Sequence, residues 1–64
     1  MIDYRKLNVG DRLIWSVTEP FDAYALKRKV IVTDVDAERA IAVWETDSSV
    51  HLWIDDDTAE DFSA

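Results

Sequence analysis

The chain has 64 residues, which limits it to one small domain spanning 1–64. Fourteen Asp and Glu against seven Lys and Arg give a formal net charge of −7, yet 48% of the residues are hydrophobic, a foldable composition. Cysteine is absent, which excludes disulfides, thiol catalysis and Cys-based zinc sites.

No apolar run approaches the roughly 20 residues of a membrane span, and no charged-then-apolar stretch suggests export. The expectation is a soluble, cytoplasmic domain with no membrane partner. A chain this short buries only about 60% of the surface it exposes when unfolded. Its stability must then rest on aromatic bulk, strand pairing or self-association. The charges are sorted by position. Residues 1–32 carry six basic and four acidic groups, whereas residues 33–64 carry one basic and ten acidic groups. With one Gly and one Pro, both in the first third, no linker separates the halves, and the asymmetry belongs to one domain with an acidic side.

In chain order, Leu7-Asn8-Val9-Gly10-Asp11 reads as a turn before a first strand over 12–17, with Leu13, Trp15 and Val17 on one face. Pro20 breaks that strand, because it has no amide hydrogen for a ladder. Over 20–27, Phe21, Tyr24 and Ala25 have helical spacing, and a long irregular loop is the slightly favoured rival. Lys29-Val30-Ile31-Val32-Thr33 is β-branched almost throughout and predicts a strand reaching residue 35. Asp36-Ala37-Glu38-Arg39 supplies a turn, 40–46 returns, Asp47-Ser48-Ser49 turns again, and 50–55 closes a meander. Thr58 with Asp61 fits a capping box, which predicts one terminal helical turn with Phe62 pinned on the body.

Two registers of the last hairpin are open. A two-residue Ser48-Ser49 loop sets Trp44 opposite Trp53 on an aromatic, acidic face and turns Ile41, Val43, Leu52 and Ile54 inward. A three-residue loop instead puts Trp44 with Val50, Leu52 and Ile54, since a one-residue slip exchanges whole faces. The first groups the aliphatic residues and is preferred, although it leaves Glu45 on the core side. In the strand reaching 35, Val30 and Val32 occupy one face, Ile31 and Val35 the other. A sheet with one wet face should alternate more cleanly, so a bent barrel or a second buried contact is expected.

The order of elements resembles the SH3-like small barrels, Tudor-type modules included: a Gly-Asp opening into a strand, a long first loop, a three-strand meander and a short terminal helical turn. The resemblance covers most of the chain. It implies an all-β, SH3-like small barrel of about five short strands that binds and does not catalyse. In Tudor-type readers an aromatic cage with an acidic residue holds a methylated Lys or Arg, and Trp44 and Trp53 with Asp55 or Glu45 could imitate one.

Other chemistries are thin. His51 is the only imidazole available as a general base, and Ser48 or Ser49 beside it brings neither an oriented acid nor an oxyanion site. Asp34, Asp36, Glu38 and Glu45 echo a calcium loop, but Arg39 stands where that loop wants Gly and strands replace its helices. Asp55-Asp56-Asp57 alternate faces and read as a solvated strand end. Lys27-Arg28-Lys29 is a basic cluster, yet the overall charge repels phosphate, so direct nucleic-acid binding is not expected. No cofactor or metal is expected.

What remains is a basic protein partner, docked on Trp44, Trp53, Glu45, Asp55, Asp57, Asp36 and Glu38. Carboxylates speed the encounter and aromatics supply desolvated contact. One version is an inhibitor whose carboxylates stand in for backbone phosphates, as in small acidic phage-encoded inhibitors. Rival readings are a structural subunit that forms a homodimer through strand 29–35, a Tudor-like methyl-cation reader, and a soluble domain with both Trp in its core.

Overall fold

The structure, a computed structural model, describes residues 2–18 and 25–64. It is all-β, with β1 (Arg12–Thr18), β2 (Ala25–Val35), β3 (Ala40–Trp44), β4 (Asp47–Ile54) and β5 (Phe62–Ser63). They form one antiparallel five-stranded sheet in the order β4-β3-β2-β1-β5. Short 3-10 turns at Tyr4–Lys6 and Ala59–Asp61 flank the strands. The expected helical turns or loop over 20–27 lie outside the described residues as far as Tyr24, and β2 already begins at Ala25.

The opening turn forms as expected. Gly10 takes φ +96°, a left-handed conformation that favours glycine. The Asp11 amide donates to the Asn8 carbonyl (3.0 Å), and the Asn8 amide donates to the Asp11 carboxylate (2.8 Å). Gly10 N–H to Val32 O (2.8 Å) and Val32 N–H to Asp11 O (2.9 Å) strap this turn to β2.

One face of the sheet carries the core. Leu13, Val30, Val32, Ala40, Ala42 and Ile54 are buried there with Tyr4 from the first 3-10 turn, Ala59 from the second, and Phe62 from β5. Fully burying a Val or Ile side chain contributes about 1.5–3 kcal/mol, so Val30, Val32 and Ile54 are the aliphatic centre of a small core. Phe62 pairs with Trp15 across β5 and β1, which realises the expected pinning of this ring.

The doubly apolar strand has a local explanation. The β2–β3 register shifts between Val32 and Asp34, leaving Thr33 as the extra residue of a bulge. The Thr33 hydroxyl donates to the Ile41 carbonyl (3.3 Å). The shift returns Val35 to the face of Val30 and Val32, where it packs against the core. Ile31 and Val35 therefore do not share a face, contrary to strict alternation.

The β3–β4 hairpin follows neither expected register. Its turn falls at Glu45 and Thr46, Trp44 pairs with Asp47, and a bulge precedes the regular pairs Val43–His51, Ala42–Leu52, Ile41–Trp53 and Ala40–Ile54. Ala40 and Ala42 face the core cluster and Ile41 does not, while Val43 is buried outside that cluster. The small alanine side chains leave room in the cluster for the rings of Tyr4 and Phe62, which supply its bulk. The bulge absorbs Ser48, Ser49 and Val50, and Asp47 stabilises it by accepting from the Ser49 amide (3.1 Å) and hydroxyl (2.6 Å).

The capping box is also absent. Thr58 makes no side-chain cap bond to the second 3-10 turn. Its hydroxyl donates to the Trp53 carbonyl (2.7 Å) and accepts from the Asp55 amide (3.0 Å), which commits it elsewhere.

Candidate functional site

The β2–β3 turn and the segment after β4 lie at the same end of the sheet, because Ala40 pairs with Ile54. In the turn, the Asp36 amide donates to the Arg39 carbonyl (2.9 Å). The Asp36 carboxylate accepts from the amides of Glu38 (2.7 Å) and Arg39 (2.9 Å). These two bonds, Glu38 first, hold its carboxyl below the usual carboxylate range. After β4, the Asp55 carboxylate accepts from the amides of Asp57 (2.9 Å) and Thr58 (3.1 Å). Asp56 accepts from the Tyr4 hydroxyl (3.1 Å). Each tight turn is thus folded around one carboxylate, leaving Glu38 and Asp57 without such a structural role.

Trp53 stands on the outer face of this end, 52% exposed. Its pairing places it in one cross-strand row with Ile41 and Asp34. The Arg39 guanidinium lies 4.1 Å from its ring centroid, and Arg39 is itself held in the Asp36 turn. An indole, a guanidinium and six carboxylates (Asp34, Asp36, Glu38, Asp55, Asp56 and Asp57) therefore share one end.

The structure brings together Trp53, Asp55, Asp57, Asp36 and Glu38, but not Trp44 or Glu45. Trp44 pairs with Val30 and Asp47 at the other end of β3, on the inner face. Its ring lies 6.0 Å from that of Trp15, with the Arg28 guanidinium 5.3 Å from its centroid. Among the described residues its buried Nε1 has no hydrogen-bond partner. Trp44 and Trp53 therefore do not wall a common cage. Glu45 donates its amide to the Lys29 carbonyl (3.0 Å), and its carboxylate lies 3.7 Å from Arg12, whose side chain is 78% exposed. Such an exposed pair contributes well under about 1 kcal/mol.

Lys27, Arg28 and Lys29 are exposed at that second end. Asp34 lies seven residue steps along the strand from Lys27, about 23 Å at a rise of about 3.3 Å per residue. That exceeds the Debye length of about 8 Å at physiological salt, so the acidic end presents its own field. Arg39 and Thr58 complete this end and are absent from the predicted set. Arg39 had a signal in being the sole cation of residues 33–64.

The Ser–His pair does not form a proton relay. The His51 Nδ1 lies 3.1 Å from the Ser49 carbonyl oxygen, while the Ser49 hydroxyl is engaged by Asp47. That hydroxyl and the Ser49 amide hold the Asp47 carboxyl below its usual range. Among the described residues, no three His, Asp or Glu side chains are grouped so as to hold a metal ion. No family model, curated protein or solved structure matches the chain.

Proposed function

We propose that this protein is a non-enzymatic interaction module of SH3-like barrel build that docks a basic protein partner on its Trp53 end. The element order supports the barrel reading, with a C-terminal strand returning to β1 after a 3-10 turn. The observation that carries the function is the exposed Trp53 indole set among six carboxylates. Carboxylates accelerate the encounter with a cationic surface, and burial of Trp53 with Ile41 then supplies contact energy. A protein that itself binds nucleic acid is a partner suited to such a row of carboxylates, which would occupy its phosphate contacts.

The test is titration with a Lys- and Arg-rich peptide at about 0.1 M and about 1 M salt. Binding is expected to weaken at least about tenfold at the higher salt, in the Trp53→Ala protein, and in the Glu38→Gln/Asp57→Asn protein. Those two carboxylates hold no turn, so the double variant stays folded. Affinity indifferent to salt, or to the loss of Trp53, would overturn the proposal.

A further inference from the structure

The outer edge of β4 offers a second element of recognition. β4 ends the strand order, and among the described residues no strand pairs with its far side. Two bonds fix which backbone groups point outward. The Thr33 hydroxyl reaches the Ile41 carbonyl from β2, so Ile41 directs its backbone groups away from β4. The Thr58 hydroxyl takes the Trp53 carbonyl from outside the ladder. Ile41–Trp53 is therefore a non-hydrogen-bonded pair, and so is Val43–His51 two residues along. The N–H and C=O groups of His51 and Trp53 face away from β3.

Much of this edge is already occupied. Asp47 takes the Ser49 amide, the His51 ring addresses the Ser49 carbonyl, and Thr58 takes the Trp53 carbonyl. Among the described residues, the His51 amide, the His51 carbonyl and the Trp53 amide are left without a bond. They are the donor, acceptor and donor that three residues of an added antiparallel strand satisfy.

We infer that β4 takes up a short extended segment of a basic partner as a sixth strand, centred on His51; this rests on the docking reading above. The strand itself is uncharged from Ser48 to Ile54 (His51 neutral), with Asp47 before it and Asp55, Asp56 and Asp57 after it. A segment with apolar or Thr residues in the middle and Lys or Arg at its ends matches that pattern. A second copy of this chain does not. Antiparallel self-pairing centred on His51 brings the Asp47 end of each copy to the Asp55-Asp56-Asp57 end of the other, and like charges brought together across strands are destabilising. The added strand lays alternate side chains on the outer face beside Trp53.

The probe is a short peptide with Lys at both ends and alternating Val and Thr between, compared with a twin N-methylated on alternate amides. The unmethylated peptide should slow hydrogen exchange of the His51 and Trp53 amides at least about tenfold, and the twin should bind at least about tenfold more weakly. His51→Pro removes an outward amide that the sheet does not use. It should keep the β spectrum and lose the preference between the peptides. Equal binding of both peptides without amide protection overturns strand addition and leaves the acidic docking surface standing. Binding of neither overturns both. Protection that rises with protein concentration alone makes a second copy the occupant and overturns the foreign strand.

Discussion

The Arg39 guanidinium covers the Trp53 ring at 4.1 Å, while the Arg39 amide is tied to the Asp36 carboxylate at 2.9 Å. The pair links the β2–β3 turn to β4 and fixes the indole on the outer face. An exposed cation–π contact contributes about 0.5–1 kcal/mol. Arg39→Ala should lower stability to urea by about that amount. Because it also removes the cation that stands over Trp53, the variant should bind the Lys- and Arg-rich peptide more tightly at low salt. Weaker binding would mean that Arg39 positions Trp53 more than it opposes the ligand's charge.

The core has little redundancy. Truncating a buried Ile to Ala costs about 2–5 kcal/mol, and a domain of this size has a total stability of roughly 3–10 kcal/mol. Ile54→Ala, at a fully buried position, should be largely unfolded or have a midpoint far below that of the parent by circular dichroism. Trp53→Ala, on the exposed face, should not.

Thr58 joins β4 to the turn that follows it, through the Trp53 carbonyl and the Asp55 amide. Thr58→Ala should destabilise by about 1–3 kcal/mol, since both groups lose their partner. Thr58→Ser retains the hydroxyl and should recover most of that loss. Equal unfolding midpoints for the two variants would show that the methyl group, not the bonds, carries the effect.

The pH limits follow from three groups. Bonds from the Glu38 and Arg39 amides lower Asp36, and bonds from the Ser49 hydroxyl and amide lower Asp47. Their contribution is full above the unfolded carboxyl pKa of about 3.9 and is lost as pH falls through the lower folded values. Tyr4 is shifted the other way, first by desolvation and then by its bond to Asp56. Its contribution is full below pH about 10 and is lost as pH rises through the higher folded value. Urea titrations should show both losses, and Tyr4→Phe should abolish the alkaline one.

Gly10 adopts φ +96°, and a Cβ built there meets nothing within 4 Å. Gly10→Ala therefore tests backbone conformation without a clash. It should cost about 1 kcal/mol through strain in the turn strapped to β2, measured as a shift in thermal midpoint.

Strand content was legible because 12–17 and 29–35 are rich in alternating or β-branched residues, and the acidic turn at 36–39 has the residue types turns require. The hairpin after it was not. The aliphatic residues Ile41 and Val43 argued for burial, which Val43 attains outside the main cluster and Ile41 only in part, while Ala40 and Ala42 join Tyr4 and Phe62, distant in sequence, in that cluster. Tyr4 carried no local signal, because its burial depends on a 3-10 turn closed by the Asp3 carboxylate and on Asp56 at the far end of the chain. Extra residues in two strands decided the rest, one in β2 and three in β4. Thr33 turned Val35 inward, and the bulge after Asp47 parted Trp44 from Trp53.

Lys27 and Asp34 at opposite ends of β2 mark a separation of charge along the strand direction. The molecule consequently carries a permanent dipole moment. In the field of an approaching cationic surface this moment experiences a torque that points the indole end forward before any atoms touch. Fewer tumbling orientations are then wasted, so an association rate that depends on alignment as well as attraction is built into the order of residues along a single strand.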